Sequence, residues 1–246
     1  MNKFFHVFFC ACLISISLRG SHDNLYLLED NHIKDVALTA LRDCTTVCGT
    51  FQEASNQIGY LLAYRISNFI PVKQKKVYTL TGAAFEQGVV LKKKPILVSV
   101  MRGGLSLLPA FQNIFKGAPV GMIGHKRNEA NASPMLYYLN LPEIACDDKV
   151  IVLEPMLATG GSLSMAVSLL KHAGAKEENI IIAVVIGAPQ GIERLLTEYP
   201  NIKIVLAAQD PGLNEKFYIV PGLGDFGDRY FGNDSEPLFE VMMDVD

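Results

Sequence analysis

Residues 149–174 have the sequence KVIVLEPMLATGGSLSMAVSLLKHAG, which predicts a strand, a glycine-rich loop and a helix in succession. The run 149–153 is mainly apolar and β-branched, as expected of a strand that is buried on both faces of a parallel sheet. The apolar residues of 163–170 recur with helical spacing, so we expect a helix with Ser162 as its N-cap and Gly174 directly after its end. This order of elements is typical of one unit of an α/β sheet.

The loop between strand and helix, ATGGS at 158–162, has the chemistry of an anion-binding turn. Gly160 and Gly161 lack a Cβ atom, so backbone N–H groups can converge on one point, and the helix N-terminus favours negative charge. An ordinary strand-to-helix turn is the alternative. Glu154 stands where the strand ends, and it favours a binding site because open α/β sheets bind ligands at that edge.

The rest of the chain alternates between strand and helix patterns. Predicted strands cover 95–100, 120–123, 180–186 and 202–207, and predicted helices cover 31–48, 51–69, 105–115 and 189–198. Residues 75–81 and 85–91 predict a β-hairpin with its turn near Gly82. We therefore expect an α/β fold, with a mainly parallel sheet flanked by helices, a β-hairpin arm and a helical N-terminal extension.

Composition limits the classes of function. The 246 residues carry a net charge of −3, which gives no electrostatic support for a nucleic-acid partner. The five cysteines and five histidines show no spacing typical of a metal site, so we expect none of them to be a metal ligand.

We expect three segments along the chain. Residues 1–24 contain an apolar run too short to favour a membrane-spanning helix, and no membrane partner is expected. This run is either the hydrophobic part of a signal peptide or an extension without structure. One domain covers 25–232 and an acidic tail covers 233–246. The domain has the character of a cytoplasmic enzyme, whereas a working signal peptide would make the protein an exported one.

Two further segments carry candidate anion-binding residues. The strand 95–100 is followed by Arg102 and two glycines, and a planar guanidinium at such a strand end can bind an anion through two N–H groups. A plain surface turn is the alternative. The polar loop 124–133 contains Lys126 and Arg127, and it is either a mobile lid over a site or a solvated loop.

The stretch 210–232 is rich in glycine and proline, which predicts an irregular chain rather than a helix or a regular strand. Glycine lets backbone N–H and C=O groups approach a flat ligand closely. Asp225 and Asp228 either contact a metal or sugar hydroxyls, or they only support turns.

Four stretches together resemble one family, the uracil phosphoribosyltransferases of the type I phosphoribosyltransferase fold. They are EPMLATGGS at 154–162, RNE within HKRNE at 125–129, QDPGLNE at 209–215 and YIVPGLGDFGDRYFG at 218–232. MRGGL at 101–105 is similar to the arginine segment of the same family. The resemblance covers 25–232 and leaves out both termini.

This resemblance implies a reaction. The family transfers the phosphoribosyl group of 5-phosphoribosyl 1-diphosphate (PRPP) to uracil, giving UMP and diphosphate in pyrimidine salvage. The resemblance also implies Mg²⁺ as a cofactor, held mainly by the diphosphate rather than by protein ligands, and a homodimer or higher homo-oligomer. The alternative is a regulator of the same fold that binds PRPP or a nucleotide without catalysis.

The resemblance also implies roles for individual residues. Arg102 and Asp225 are the expected catalytic residues. The expected PRPP-binding residues are Arg102, Arg127, Glu154, Pro155, Met156, Leu157, Ala158, Thr159, Gly160, Gly161, Ser162 and Asp225. The expected uracil-binding residues are Ile219, Gly224, Asp225 and Phe226.

Three details depart from the family pattern or extend it. Glu154 stands where the family usually has aspartate, so we expect weaker PRPP binding. The segment 42–51 matches poorly, which leaves activation by GTP open. By resemblance, a non-proline cis peptide bond is expected directly after Arg102.

Overall fold

The computed structural model describes residues 23–127 and 134–233. The expected leader, apart from its last two residues, and the expected tail, apart from its first residue, lie outside these residues, as do residues 128–133 of the expected lid. In the part of the chain that is described, no helix has both the length and the apolar character needed to span a membrane.

The described chain alternates between strands and helices along most of its length. The strands are β1 Leu25–Leu27, β2 Val72–Gln74, β3 Val77–Tyr78, β4 Ala84–Phe85, β5 Val89–Leu91, β6 Ile96–Met101, β7 Val120–Arg127, β8 Pro134–Asn140, β9 Val150–Leu153, β10 Met156–Leu157, β11 Ile180–Gly187, β12 Lys203–Gln209, β13 Gly212–Leu213 and β14 Ile219–Val220. The α-helices are α1 His32–Arg42, α2 Cys48–Ser67, α3 Leu108–Ile114, α4 Gly161–His172, α5 Pro189–Glu198 and α6 Phe226–Phe231.

One central sheet organises the domain. Its strands lie in the order β1, β12, β11, β9, β6, β7, β8, and the short strand β10 extends the pairing with β11. All neighbouring strands run parallel except β7 and β8, which are antiparallel. The predicted fold class, a mainly parallel sheet flanked by helices, is therefore confirmed.

The central strands β6, β9, β11 and β12 are buried on both faces, which explains their long apolar runs. Successive side chains of a strand point to opposite faces, so Ile181 packs in one core and Ile182 in the other. Helices α1, α2 and α3 cover the first face, and Phe111 of α3 is fully buried there. Helices α4 and α5 cover the second face, where Leu163 and Leu195 are almost completely buried.

The N-terminal helices form a hairpin, but the predicted helix over 31–48 is wrong at its C-terminal end. Helix α1 begins at an N-cap, Asn31, whose side chain accepts from the Lys34 N–H at 2.8 Å. It ends at Arg42 because the Asp43 carboxylate accepts from the Thr45 N–H at 2.8 Å, a local turn that competes with the helix. In the segment 42–51, Arg42 is therefore the last residue of α1, and the others form the connection to α2 and its first turn.

The arm is the predicted β-hairpin, with a longer base than expected. Strand β2 pairs with β5 and β3 pairs with β4, and the turn contains Gly82 at φ +82°. Only glycine adopts this φ readily.

Two segments are more regular than their sequences predict. Strand β7 continues past 123 to Arg127, because Gly124 pairs with Tyr138 and His125 with Leu136 of β8. The predicted strand 120–123 was thus too short, and the first part of the loop 124–133 is a strand. Likewise, the stretch 210–232 contains the strands β13 and β14 and the helix α6.

The predicted helix over 105–115 divides into two parts. A 3₁₀ turn covers Gly103–Ser106, and α3 follows over Leu108–Ile114. The turn lies tightly against the neighbouring strand, since a Cβ atom on Gly104 would be 2.1 Å from the Leu153 carbonyl oxygen. This close approach of backbone to backbone brings the ends of β6 and β9 together.

Candidate active site

The carboxyl ends of the adjacent strands β9 and β6 open into a cavity of about 600 Å³. Its lining comes from three stretches that are distant in sequence, 101–103, 154–162 and 214–227, together with His125. Parallel strands end at the same edge of a sheet, so the topology explains why these stretches meet.

The glycine-rich loop turns sharply into helix α4. Gly160 has φ +79° and is the N-cap of α4, so the predicted N-cap, Ser162, is wrong. Ser162 instead lies in the first turn and, with Thr159 and Gly161, lines the cavity. The helix ends as predicted before Gly174, which has φ +108° and donates its N–H to the Lys171 carbonyl at 3.1 Å. The loop therefore presents an uncapped helix N-terminus to the cavity, which favours an anion.

Two of the predicted PRPP-binding residues, Leu157 and Gly160, lie behind the cavity wall and pack against β11 and α5. Leu157 is fully buried and pairs with Gly187 of β11, so it belongs to the sheet. Gly160 is buried against α5, where a Cβ atom would lie 3.1 Å from the Gly191 carbonyl oxygen. Neither residue is part of the cavity lining, whereas Pro155, Met156 and Ala158 are.

Glu154 projects from the end of β9 into the cavity. Burial raises the pKa of its carboxyl to about 8, the Met156 N–H at 3.5 Å from Oε1 opposes this rise, and the nearby Asp225 carboxylate adds to it. This environment favours the protonated form of the Glu154 carboxyl near neutral pH.

Arg102 follows β6 and points toward helix α6. Its Nη2 donates to the Asp228 Oδ1 at 2.6 Å, and its guanidinium lies 6.0 Å from the centroid of the Phe231 ring. The side chains of Arg102 and Asp228 are 52% and 39% exposed, so solvent and ligands reach this ion pair. A non-proline cis peptide bond joins Met101 to Arg102, so the expectation of such a bond after Arg102 is wrong by one residue.

Asp225 has a structural partner as well as a place in the cavity. It is the N-cap of α6, and its Oδ1 accepts from the Asp228 N–H at 2.9 Å. Close to it, Gly227 lies near the start of the 3₁₀ turn, since a Cβ atom there would be 3.8 Å from the Gly103 nitrogen. The carboxylate of Asp225 is thus held at the start of α6, where it lines the cavity.

The far wall of the cavity is built from the C-terminal stretch. Ile219 is buried and pairs with Leu213 in the β13–β14 ladder, and Gly224 turns the chain at φ +83°. Phe226 is buried against Phe51 of α2, with ring centroids 4.9 Å apart. These contacts place the backbone of 219–226 along the cavity.

An ion pair that the sequence did not reveal anchors this wall. Arg42 donates to both carboxylate oxygens of Asp210, at 2.6 and 2.9 Å, and to the Gly222 carbonyl at 2.9 Å. The Asp210 carboxylate also accepts from the Gly222 N–H at 2.8 Å. The pair joins α1 to the glycine-rich turn across 168 residues of sequence.

His125 lines the cavity, and the sequence did not reveal this role either. Its Nε2 lies 2.6 Å from the Ser162 Oγ. A histidine in a polar loop carries no sequence signal for this contact, because only the pairing of β7 with β8 fixes its position.

The remaining expected ligands are only partly described. Arg127 is the last residue of β7, and its side chain lies outside the described residues. Within the residues that are described, no cluster of three or more His, Cys, Asp or Glu side chains could hold a metal ion. Glu154 and Asp225 are the carboxyl groups in the cavity lining, so a metal here would need a ligand's oxygens to complete its coordination.

Comparisons with known proteins agree with this geometry. Residues 28–233 match the family model described as uracil phosphoribosyltransferase. Uracil phosphoribosyltransferase 1 of Schizosaccharomyces pombe is 39% identical over 217 residues, which are 88% of this chain and 99% of that protein. The solved structure of the AQ2163 protein from Aquifex aeolicus is 31% identical with a TM-score of 0.74, covering 83% of this chain and 97% of the other.

A more distant structure shares only the fold. Adenine phosphoribosyltransferase from Leishmania tarentolae is 15% identical with a TM-score of 0.54, and the match covers 82% of this chain and 96% of that one.

Proposed function

The chain belongs to the uracil phosphoribosyltransferase family and has the type I phosphoribosyltransferase fold, and we propose that it transfers the phosphoribosyl group of PRPP to uracil, forming UMP and diphosphate. One observation supports this most strongly. A single cavity combines a helix N-terminus, an arginine at a strand end and a glycine-rich wall. PRPP has two anionic groups separated by a ribose, and uracil is flat, so each feature has a counterpart in the substrates.

The 5′-phosphate binds to the loop at the start of α4. The backbone N–H groups of this loop converge on the cavity, and the hydroxyls of Thr159 and Ser162 supply further donors. Met156 and Ala158 line the same side, while Leu157 and Gly160 hold the loop against β11 and α5.

Glu154 accepts hydrogen bonds from the ribose 2′- and 3′-hydroxyls. These donors favour the ionised carboxyl, so binding of PRPP opposes the effect of burial on the pKa of Glu154. The extra methylene of glutamate relative to aspartate moves the carboxylate further from β9, which is why we expect the affinity for PRPP to be reduced.

Arg102 binds the diphosphate from the end of β6, and Arg127 binds it from the end of β7. Guanidinium groups suit this role because they offer two parallel N–H donors to phosphate oxygens. Diphosphate competes with Asp228 for Arg102, since the ion pair between the two residues is half-exposed and Arg102 lines the cavity.

Mg²⁺ fits the described residues only as a substrate-bound ion. The carboxyl groups of Asp225 and Glu154 provide at most one or two ligands, which is the number typical of sites where phosphates supply the rest. When bound, Mg²⁺ would neutralise charge on the diphosphate.

Uracil binds to the backbone of the C-terminal wall. Ile219, Gly224 and Phe226 bring main-chain N–H and C=O groups to the edge of the base, and the anchor between Arg42 and Asp210 keeps this wall in place. A backbone held in one position forms selective hydrogen bonds with the donors and acceptors of uracil better than a mobile backbone does.

Catalysis depends on position and charge. The bond between C1′ and the diphosphate oxygen breaks with its electron pair on the diphosphate, uracil N1 bonds to C1′, and the N1 proton passes to water. Arg102 stabilises the leaving diphosphate, and the carboxylate of Asp225 stabilises positive charge that develops on the ribose.

A homodimer or higher homo-oligomer is part of the proposal, as is a cytoplasmic location. The support for an oligomer is the exposed apolar surface of the arm and of β8, which includes Leu80 and Tyr137.

Turnover by an arginine variant tests the site. Arg102→Ala should lower kcat/KM for PRPP by about 100-fold or more while the far-ultraviolet circular dichroism is unchanged, since loss of a group that stabilises transition-state charge has such effects. Lys116→Ala is the control, because Lys116 is exposed and precedes β7 at the opposite edge of the sheet. Full turnover by Arg102→Ala would refute the role of Arg102 in binding the diphosphate. A wild-type protein that binds PRPP but forms no UMP would refute the proposed activity.

A further inference from the structure

The contact between His125 and Ser162 joins strand β7 to the first turn of helix α4. His125 lies on β7, directly after a shift in register with β8 that falls between Gly124 and His125. Such an irregularity changes the direction of a side chain on a strand. The imidazole reaches the first turn of α4, where its Nε2 lies 2.6 Å from the Ser162 Oγ, and both residues line the cavity.

The environment of the other ring nitrogen fixes the direction of this hydrogen bond. Nδ1 of His125 is buried and has no hydrogen-bond partner among the described residues. A buried N–H without a partner costs about 1–3 kcal/mol, and buried donors without partners are rarer than acceptors. The neutral ring therefore carries its proton on Nε2, and His125 donates to Ser162.

The hydroxyl of Ser162 then has its own proton available. Because the Ser162 Oγ accepts from His125, its O–H is directed away from the ring. Ser162 lines the cavity in the first turn of α4. The hydroxyl is in this way prepared as a donor for an anion in the cavity.

We propose that His125 is a positioning residue that directs the Ser162 hydroxyl toward the 5′-phosphate of the substrate. This inference rests on the proposed function in taking the loop as the phosphate subsite. It adds a residue from β7 to a subsite that otherwise consists of one loop.

The ionisation of His125 agrees with this role. Burial lowers the pKa of the imidazole below its ordinary value, so the ring is neutral at pH 7. A neutral imidazole can carry its one ring proton on Nε2 and leave the buried Nδ1 without a proton, as the contacts of His125 require.

A double-mutant cycle on phosphate binding tests the inference. The probe is ribose 5-phosphate, and its Kd is measured by calorimetry at pH 7.5. His125→Leu and Ser162→Ala should each weaken binding about ten- to hundredfold, the usual effect of one lost hydrogen bond to a charged group. The double variant should bind no more weakly than Ser162→Ala, because His125 acts only through the serine.

Two further variants show whether His125 acts through its hydrogen bond to Ser162 or only through its packing. His125→Gln keeps an N–H donor at a similar reach and should retain most of the affinity. His172→Leu is the matched control, since His172 is exposed at the far end of α4, where its Nδ1 lies 2.7 Å from the Ser168 carbonyl oxygen. It should bind like the wild type.

Three results would overturn the inference: wild-type affinity in His125→Leu, losses that multiply in the double variant, or equal losses in the Leu and Gln variants. Binding of ribose 5-phosphate needs no turnover. A wild type that makes no UMP but shows this cycle would therefore refute the proposed function and leave the role of His125 intact.

Discussion

Arg102 and Asp228 form an ion pair, with 2.6 Å between Nη2 and Oδ1, that joins the end of β6 to helix α6. The two residues are 126 positions apart in sequence. The Asp228 carboxylate thus contacts the Arg102 guanidinium, which we propose binds the diphosphate of PRPP. Asp228 therefore competes with the substrate for this arginine.

Asp228→Asn should strengthen PRPP binding. The ion pair is half-exposed, and such pairs are worth about 0–1 kcal/mol, so removing it should change the free energy of unfolding by less than about 1 kcal/mol. The released guanidinium should lower KM for PRPP by about two- to fivefold, which corresponds to the same range of free energy. Initial rates at varied PRPP concentration measure this.

The opposite change in KM would show that Asp228 positions Arg102 rather than restraining it. Asp147→Asn serves as the control, because Asp147 is exposed and pairs only weakly, at 3.5 Å, with Lys93, away from the cavity.

Glu154 should make the wild type less stable as pH rises. Its pKa is raised from 4.5 to about 8, so between these values the folded protein holds a proton that the unfolded chain has lost. The contribution of Glu154 to stability is full below pH 4.5, decreases through the interval, and is lost above pH 8.

Glu154→Gln should remove this dependence, because an amide does not titrate. The free energy of unfolding of the variant relative to the wild type should rise by roughly 2–4 kcal/mol between pH 5 and pH 8.5. Urea unfolding at both values measures the difference. Glu53→Gln, an exposed change on α2, should show no such trend; a flat difference for Glu154→Gln would mean that its carboxyl is ionised at neutral pH.

Local patterns in the sequence predicted most elements of the fold. Strands such as β11 are continuous apolar runs because both faces are buried, and α5 was predicted with its observed bounds because Pro189 begins it. The sequence predicts the sharp turn before α4 because a glycine pair stands between a strand pattern and a helix pattern, and Gly160 has a positive φ there. Each of these signals lies within a dozen neighbouring residues.

The missed features depend on contacts between distant parts of the chain. Arg42 and Asp210 look like ordinary surface charges until the fold places them 2.6 Å apart. His125 was assigned to a polar loop because its pairing with β8 requires a partner strand whose exposed residues have no clear alternation. The N-cap of α4 was misplaced by two residues because serine is the usual cap, whereas Gly160 needs a positive φ that only the packing against α5 explains.

The most direct measurement is product formation from a mixture of bases. The protein is incubated with PRPP, Mg²⁺ and equal concentrations of uracil, cytosine, adenine and hypoxanthine, and nucleotides and diphosphate are quantified by chromatography. We predict UMP and diphosphate in equal amounts, with the other three bases unchanged. Consumption of another base in preference to uracil, or no nucleotide despite measurable PRPP binding, would contradict the assignment of this cavity as a uracil phosphoribosyltransferase site.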